Sequence, residues 1–318
     1  MKKTLSRFSV FALILALTGC GAISVRNEAV LSSRTLLAAS TVAGLPAAVP
    51  ARQPQEESAA KLATERETRR GEGLRLARLL RDQGSFQSAA EVYAQMDRKQ
   101  LLTPLELLEY ATTAATVQAS QDSLALFGRA RRELQRSGEA LSPAARIALC
   151  GGLGRARLAL GQTQEALHDF ECVLQQDADN LPALNASGVA LDALGRHEQA
   201  RTRFARAAAL DPADFRVLNN LALSHLASGN ASEAIRLLNQ ASATGLPTAR
   251  LNLALAYLLD GQDAQARQSL GFLSGRMADK ALQTLESYRA RIRAGAPVAA
   301  EFLAASRQLL ALREENKS

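Results

Sequence analysis

Small apolar residues recur along the middle of the chain at a regular interval of about 34 residues. Glycines mark this period most clearly, at spacings of 34, 34 and 32: Gly161, Gly195, Gly229 and Gly261. Alanines and large apolar residues keep the same phase, namely Ala166, Ala200, Ala234 and Ala266 with Phe170, Phe204, Leu238 and Leu270. Between these positions apolar residues lie three or four apart, as on one face of a helix. The pattern predicts pairs of helices, joined at glycines, that stack on one another.

The clearest unit shows all the apolar and turn positions that define the repeat. It covers residues 181–214 and carries Leu184, Gly188, Leu191, Gly195, Ala200, Phe204, Ala207 and Pro212. These residues resemble the tetratricopeptide repeat closely, except that Leu184 stands where that family usually has Trp. We expect Gly188 and Ala200 to lie where the two helices of the unit cross, because small residues permit close approach. Phe204 and Ala207 are expected to face the following unit.

The same register predicts six units, of which the second is the least regular. They cover residues 70–103, 104–142, 147–180, 181–214, 215–247 and a shorter stretch from 247 to 276. Abundant Ala, Leu and Arg and sparse β-branched residues also favour helix over strand. We therefore predict an all-α fold, a right-handed superhelical solenoid of about six tetratricopeptide-like helix pairs within residues 61–276.

Two further apolar stripes follow the last unit, over residues 277–318. The first comprises Ala281, Leu282, Leu285, Tyr288 and Ile292, and the second comprises Phe302, Leu303, Leu309, Leu310 and Leu312. A solenoid needs end units with a polar outer face, so we interpret these stripes as C-terminal capping helices. A docking helix for a partner protein is the alternative interpretation.

The N-terminus has the pattern of an export signal. A basic start is followed by the apolar run Phe8–Leu17, which is too short to span a bilayer. The run ends at Thr18-Gly19-Cys20, which resembles the cleavage site of bacterial lipoproteins. That resemblance implies a signal peptide over residues 1–19 and a lipid on Cys20, with an ordinary secretory signal as the alternative. Gly21 in place of Asp favours, by the same resemblance, the periplasmic face of the outer membrane.

Residues 20–60 hold Ser, Pro and many Ala without a sustained helical period, so we predict a lipidated flexible tether. The formal charge is +7, and three of the positive charges lie in residues 1–19, which leaves +4 in the mature chain. A mild excess of Arg is typical of a solvated helical surface, and an anionic lipid or peptide is a second interpretation. The export signal argues against nucleic acid as a partner.

Residues able to do chemistry are few. His168, His197 and His225 fall at different phases of their repeats, and none belongs to a zinc or nucleophile motif. We therefore expect no metal, no cofactor and no catalytic activity. We expect Cys150 to pack as a small apolar residue and Cys172 to point partly to solvent. A bridge between these two cysteines is the alternative, which an oxidising periplasm would allow.

Resemblance to the tetratricopeptide family implies a concave groove lined by the first helix of each unit. The partner-binding positions that it implies are Arg78, Arg81, Arg155, Asn185, Asp192, Arg216, Asn219 and Leu223, with Leu74, Leu158, Val189 and Leu226 beside them. Asn185 and Asn219 occupy equivalent places in successive repeats, and an amide can bond to a peptide backbone. A solvated wall without a ligand is the alternative for each of these positions.

Two segments of the middle repeats, Val217–His225 and Leu251–Tyr257, resemble the TadD family of lipoproteins, which act in the assembly of tight-adherence (Flp) pili. This resemblance covers roughly residues 145–275 and the lipobox. It implies a pilotin-like adaptor, held to the membrane by its lipid, that binds a secretin or another pilus or secretion-system protein. Two alternatives stay open: a scaffold for cell-wall hydrolases or outer-membrane protein assembly, and a pilotin of another pilus or secretion system.

Overall fold

The computed structural model describes residues 54–138, 140–302, 304, 305 and 308. Every regular element within these residues is an α-helix, and none of the helices there is both long and apolar enough to cross a membrane. The chain forms two compact units that divide between Val117 and Gln118. Cys20 and the predicted lipobox lie outside the described residues.

The first unit contains three helices among its described residues: α1 (Pro54–Asp82), α2 (Phe86–Arg98) and α3 (Pro104–Ala114). Helix α1 includes residues 54–60, which the sequence assigned to the tether. Ala, Glu, Gln and Arg, all good helix formers, dominate its first half and sustain the helix there. Arg66 also ties this half to the turn after α2, because its Nη2 donates to the Gln100 carbonyl at 2.6 Å.

Aromatic and charged contacts hold α2 and α3 together in the first unit. The rings of Tyr93 and Tyr110 stack with their centroids 5.9 Å apart. Thr103 caps α3 through a capping box with Glu106, whose carboxylate also accepts two bonds from Arg70 on α1, at 3.2 and 2.6 Å. One carboxylate therefore both caps α3 and links it to α1.

The second unit is a run of helix pairs. Its helices are α4 (Ser120–Ser137), α5 (Pro143–Ala159), α6 (Thr163–Gln176), α7 (Leu181–Ala193), α8 (His197–Leu210), α9 (Phe215–Ala227), α10 (Ala231–Ser242), α11 (Pro247–Leu259), α12 (Asp263–Ser269) and α13 (Gly275–Arg293). Each helix from α4 to α12 packs on the next, and the first helices α7, α9 and α11 also pack on one another. The helix pairs α5/α6, α7/α8, α9/α10 and α11/α12 correspond to the third to sixth predicted repeats. They confirm the all-helical, tetratricopeptide-like solenoid.

The turns and crossings of these pairs follow the sequence prediction. The four repeating glycines all have a left-handed φ, between 74° and 78°. A Cβ on Gly188 would lie 2.6 Å from the ring of Phe204, so only glycine lets α7 and α8 approach this closely. Phe204 therefore packs on Gly188 of its own repeat, and it belongs to the same buried cluster as Leu218 and Leu221 of the next repeat. Ala207 also meets the next unit, in a cluster with Leu184 and Val217.

Cys150 of α5 and Cys172 of α6 form a disulfide, with their Cα atoms 6.1 Å apart. The expectation of two separate thiols is therefore wrong. Its error was to use the usual spacing of helix axes, which is about 8–10 Å, for a pair that packs closer. Gly154 on α5 lies directly against the ring of Phe170 on α6, at a place where a Cβ would be only 2.7 Å from that ring. This close crossing brings the two cysteines within bridging distance.

Helix α13 packs on α11 and α12 at the C-terminal end of the second unit. Its buried face carries Ala281, Leu285 and Tyr288, which belong to the same apolar core as the leucines of α11. Phe302 and Ala305, in the helical residues that follow, join this core. These residues therefore cover the apolar side of the last helix pair. The side chains of Leu303, Leu309, Leu310 and Leu312 lie outside the described residues.

Candidate functional site

The predicted groove residues of the first unit are engaged in internal ion pairs. Arg78 donates to both carboxylate oxygens of Glu109, at 2.9 and 2.7 Å, and Arg81 lies 3.9 Å from the same carboxylate. The Tyr93 hydroxyl donates to Glu109 as well, at 3.1 Å. Burial, followed by the nearby Glu109 charge, raises the pKa of Tyr93, which therefore stays a neutral donor. The two arginines thus bind α3 from within the unit.

The predicted apolar positions lie largely in the core. Leu74, Leu158, Val189 and Leu226 are each at most 9% exposed. Leu223 differs, because it is half-buried and only partly packed against the core of the second unit. Arg155 is exposed on α5 and has contacts of its own.

Asn185 and Asn219 form equivalent hydrogen bonds with the next first helix. Asn220 of α9 donates its Nδ2 to Asn185 Oδ1 of α7 at 3.0 Å. Asn252 of α11 donates its Nδ2 to Asn219 Oδ1 of α9 at 2.5 Å. We call these two bonds the amide rungs. Each rung uses the carbonyl oxygen of the predicted groove residue, so that residue keeps only its NH₂ group for a ligand.

The NH₂ groups of the groove asparagines reach the surface. Among the described residues, neither Asn185 Nδ2 nor Asn219 Nδ2 has a hydrogen-bond partner. In the same residues every buried side-chain nitrogen or oxygen does have one. The two nitrogens, one repeat apart, are therefore unpaired donors that are not completely buried, although Asn185 as a whole is only 5% exposed.

Asp192, near the end of α7, joins three helices. Its Oδ1 accepts from Ser224 Oγ of α9 at 2.9 Å and lies 2.9 Å from His197 Nδ1 at the start of α8. Burial raises the pKa of the Asp192 carboxyl, and the His197 and Ser224 bonds offset this only in part. The serine donates to the carboxylate, and the imidazole binds the same oxygen. This arrangement is therefore not that of a nucleophile with its base.

Arg216 is held at the start of α9. It donates through Nε and Nη2 to the two oxygens of Asp214, at 3.1 and 2.7 Å, while Asp214 caps the helix by accepting from the Arg216 backbone N–H. Burial acts to raise the pKa of Asp214, but the bonds from Arg216 outweigh it and the pKa is lowered. Arg216 therefore acts first as a partner of the N-cap residue.

The sequence did not predict three residues that position the groove side chains, namely Asn220, Asn252 and Ser224. A signal for two of them existed, because Asn220 and Asn252 keep the same spacing as Gly229 and Gly261. That phase marks them as equivalent. Only the structure shows that each turns its amide towards the preceding helix.

A separate cavity of about 720 Å³ lies between α8, α9 and α10. Alanines of α8 and leucines of α9 and α10 line it, and Arg201, Glu233 and Arg236 stand at its edge beside His225. Burial, followed by the charge of Arg201, lowers the pKa of His225, which favours its neutral form. Nowhere in the described residues do three His, Cys, Asp or Glu side chains gather as they would around a metal ion.

Comparison with known proteins identifies the repeat. The model of the tetratricopeptide repeat matches residues 157–223 and 193–246. A solved tetratricopeptide repeat protein from Parabacteroides merdae has 18% identity and a TM-score of 0.54, over 76% of this chain and 93% of that one. MamA from Desulfovibrio magneticus has 16% identity and a TM-score of 0.47, over 55% of this chain and 94% of that one. No curated protein matches the sequence significantly.

The second unit therefore belongs to the class of helical-repeat scaffolds, which bind other proteins and typically carry no catalytic set. Within that class, residues 157–246 match the model of the tetratricopeptide repeat, and the fold is that of a solved tetratricopeptide repeat protein. The surface that such a scaffold offers is the face of its first helices. In this chain that face carries the NH₂ groups of Asn185 and Asn219, with Leu223 and the Asp192 carboxylate beside them.

Proposed function

We propose that the protein is a lipid-anchored adaptor on the periplasmic face of the outer membrane, with a pilotin-like role in pilus assembly. Its first helices α5, α7, α9 and α11 hold an extended segment of a partner protein, which we take to be the secretin of a tight-adherence pilus. The observation that carries the binding role is the pair of unpaired amide donors on Asn185 and Asn219, fixed in equivalent orientations by the amide rungs.

Two observations support an exported, anchored protein. The sequence before Cys20 has the charge, length and small residues of a lipoprotein signal. The Cys150–Cys172 disulfide suits an oxidising compartment, and disulfides persist in the bacterial periplasm while thiols stay reduced in the cytosol. Several acyl chains on Cys20 would give stable anchoring, since each buried CH₂ contributes about 0.8 kcal/mol.

The donors suit an extended peptide because every residue of such a peptide presents a backbone carbonyl. A carbonyl oxygen accepts from an amide NH₂ without regard to the side chain, so two fixed donors hold a segment in place. Leu223, half-buried one turn beyond Asn219 on α9, offers an apolar contact for one side chain.

The binding role is tested by removing the donors and keeping the rungs. Asn185→Asp with Asn219→Asp retains an acceptor oxygen for Asn220 and Asn252 but deletes both outward NH₂ groups. We expect the double variant to lose pull-down of the secretin from detergent extracts, with its helical circular dichroism unchanged. Asn180→Asp is the matched control, because Asn180 caps α7 and Asp is an equally good cap.

Two outcomes would refute this assignment. If the double variant retains the secretin while deletion of residues 278–318 loses it, the terminal helices and not the groove bind the partner. If the wild type brings down a cell-wall hydrolase and no pilus component, the partner assignment is wrong.

Anchoring is tested at Cys20. Cys20→Ala should abolish palmitate labelling and leave the chain unprocessed or free in the periplasm, since no acyl chain can then be attached. Persistent labelling of the Cys20→Ala variant, or recovery of the labelled wild type in the inner membrane, would contradict the proposed location.

A further inference from the structure

Hydrogen bonds between the first helices α7, α9 and α11 run in one direction. Asn220 and Ser224 of α9 donate to Asn185 and Asp192 of α7, and Asn252 of α11 donates to Asn219 of α9. In each of these bonds the donor belongs to the later repeat and the acceptor to the earlier one. The three acceptors, Asn185, Asp192 and Asn219, are all predicted groove residues. A ligand in the groove can therefore bond only to the polar atoms that these residues do not use between the helices.

What remains at Asp192 is an acceptor with negative charge. Its Oδ1 is shared by Ser224 and His197, whereas Oδ2 accepts no hydrogen bond from any described residue. Its side chain is 17% exposed, and no lysine or arginine in the described part of the chain forms an ion pair with it. Asp192 is thus an accessible carboxylate beside two amide donors.

The repeat pattern sets Asp192 apart from its equivalents. The residues one period before and after it are Leu158 and Leu226, and both are buried apolar residues. A leucine therefore satisfies the packing at this place in the neighbouring repeats. Burial raises the pKa of the Asp192 carboxyl, and the His197 and Ser224 bonds and the charges of His197 and Arg201 offset this only in part. A cation at Oδ2 would supply the missing compensation.

We infer that Asp192 selects a cationic side chain, lysine or arginine, in the segment held by the Asn185 and Asn219 donors. This inference rests on the proposed function and adds the chemistry of the partner to it. Asp192 and Asn185 lie seven residues apart on α7, which corresponds to about 10 Å at about 1.5 Å per residue. A peptide that crosses α7 at Asn185 therefore meets Asp192 through a side chain directed along the helix, and lysine and arginine have the longest side chains that carry a positive charge.

The test selects phage-displayed dodecapeptides on the full chain, solubilised in mild detergent, as wild type and as Asp192→Asn. The variant keeps an oxygen that can accept from Ser224 and His197, so the junction between repeats is preserved while the charge is removed. Glu198→Gln is the matched control, because it removes an exposed acid from the first turn of α8. Equal melting temperatures of the three proteins establish that the fold is intact.

We expect peptides selected by the wild type and by Glu198→Gln to share a lysine or arginine, and those selected by Asp192→Asn to lack it. A selected peptide should bind at least tenfold more weakly to Asp192→Asn. Replacing its basic residue by Gln should cause a similar loss on the wild type and no further loss on the variant. That coupling would not follow if Asp192 were only structural.

Selected peptides without a shared basic residue, or with the same affinity for wild type and Asp192→Asn, would overturn the inference. If those peptides still lose binding to the Asn185→Asp, Asn219→Asp variant, the proposed binding site is supported and only the inferred preference for a basic residue is wrong. If no selected peptide depends on the asparagines, the proposed binding role fails together with the inference.

Discussion

The two compact units use different means to join their helices. In the first unit, charged groups make the links: Arg70 joins α1 to Glu106, and Arg78 joins α1 to Glu109. In the second unit, the contacts that recur from repeat to repeat are uncharged. They are glycine against phenylalanine within a pair and the amide rungs between pairs.

This difference shows what a repeat sequence encodes. A glycine followed at a constant offset by a phenylalanine, as in Gly154 with Phe170 and Gly188 with Phe204, produces the same close crossing in both of these repeats. An ion pair depends on the partner's position and on its charge, so it does not need to recur with the phase. The two units should consequently respond to different perturbations, and three changes test this.

The largest effect should come from reducing the Cys150–Cys172 disulfide, which closes a loop with a sequence separation of 22. A loop of this length contributes about 3 kcal/mol to stability by restricting the unfolded chain. Under dithiothreitol, amide hydrogen exchange should accelerate in α5 and α6. Residues 54–117 contain no cysteine and serve as the internal control. Unchanged protection of α5 and α6 would show that the bridge does not stabilise this pair.

A smaller loss should follow from Gly188→Ala. The new Cβ would press on the Phe204 ring, and overpacking of this kind costs about 1–3 kcal/mol. Gly71→Ala in α1 is the matched control, because a Cβ there meets nothing within 4 Å. It should gain about 0.5–1 kcal/mol from improved helix propensity. Urea unfolding followed by circular dichroism measures both, and equal effects of the two alanines would invalidate the assigned register.

The smallest effect should be the acid response of the first unit. Burial acts to raise the pKa of Glu106, but the bonds from Arg70 and the Thr103 cap outweigh it, so its pKa is lowered from the ordinary 4.5. The carboxylate therefore contributes stability that is fully present above its ordinary pKa, and this contribution is lost as the pH falls through the lowered folded-state pKa.

Glu106→Gln should remove that pH dependence, with an effect of below about 1 kcal/mol because Arg70 is partly exposed. Urea unfolding at a neutral and at an acidic pH compares the variant with the wild type. Glu91→Gln, which removes an exposed acid from α2, is the matched control for net charge. If wild type and Glu106→Gln lose the same stability on acidification, the Arg70–Glu106 link does not account for the acid response.

Much of the second unit could be predicted from sequence because its determinants are local. The left-handed φ at Gly195 and its equivalents favours glycine, and so does the close approach of Phe204 to Gly188. Each of these structural needs is therefore visible in the sequence as a glycine at that position. The phase of these glycines then fixes which helices form pairs. The apolar face of α13 could be predicted for the same reason, because the burial of Ala281, Leu285 and Tyr288 follows from helical spacing alone.

The features that escaped prediction depend on the direction of side chains across helices. The Cys150–Cys172 bridge needs two Cβ vectors to converge, and the repeat phase does not specify this. The pairing of Asn185 with Asn220 likewise depends on how α7 and α9 are offset. Arg78 and Arg81 were assigned to a ligand from their repeat positions, and their pairing with Glu109 escaped prediction because Glu109, on another helix, has no repeat equivalent.

The last helix pair of the array differs from the others in the length of its second helix, α12. A solenoid of like units can in principle grow without limit, because its last unit offers the same surface to a further one. Helices α6, α8 and α10 have 14, 14 and 12 residues, whereas α12 has 7. The second helix of the last pair is thus about half as long as its equivalents, and α13 packs on both α11 and α12. In a solenoid the first helix of a further repeat would pack on the last pair, α11 and α12, and these are the two helices that α13 contacts.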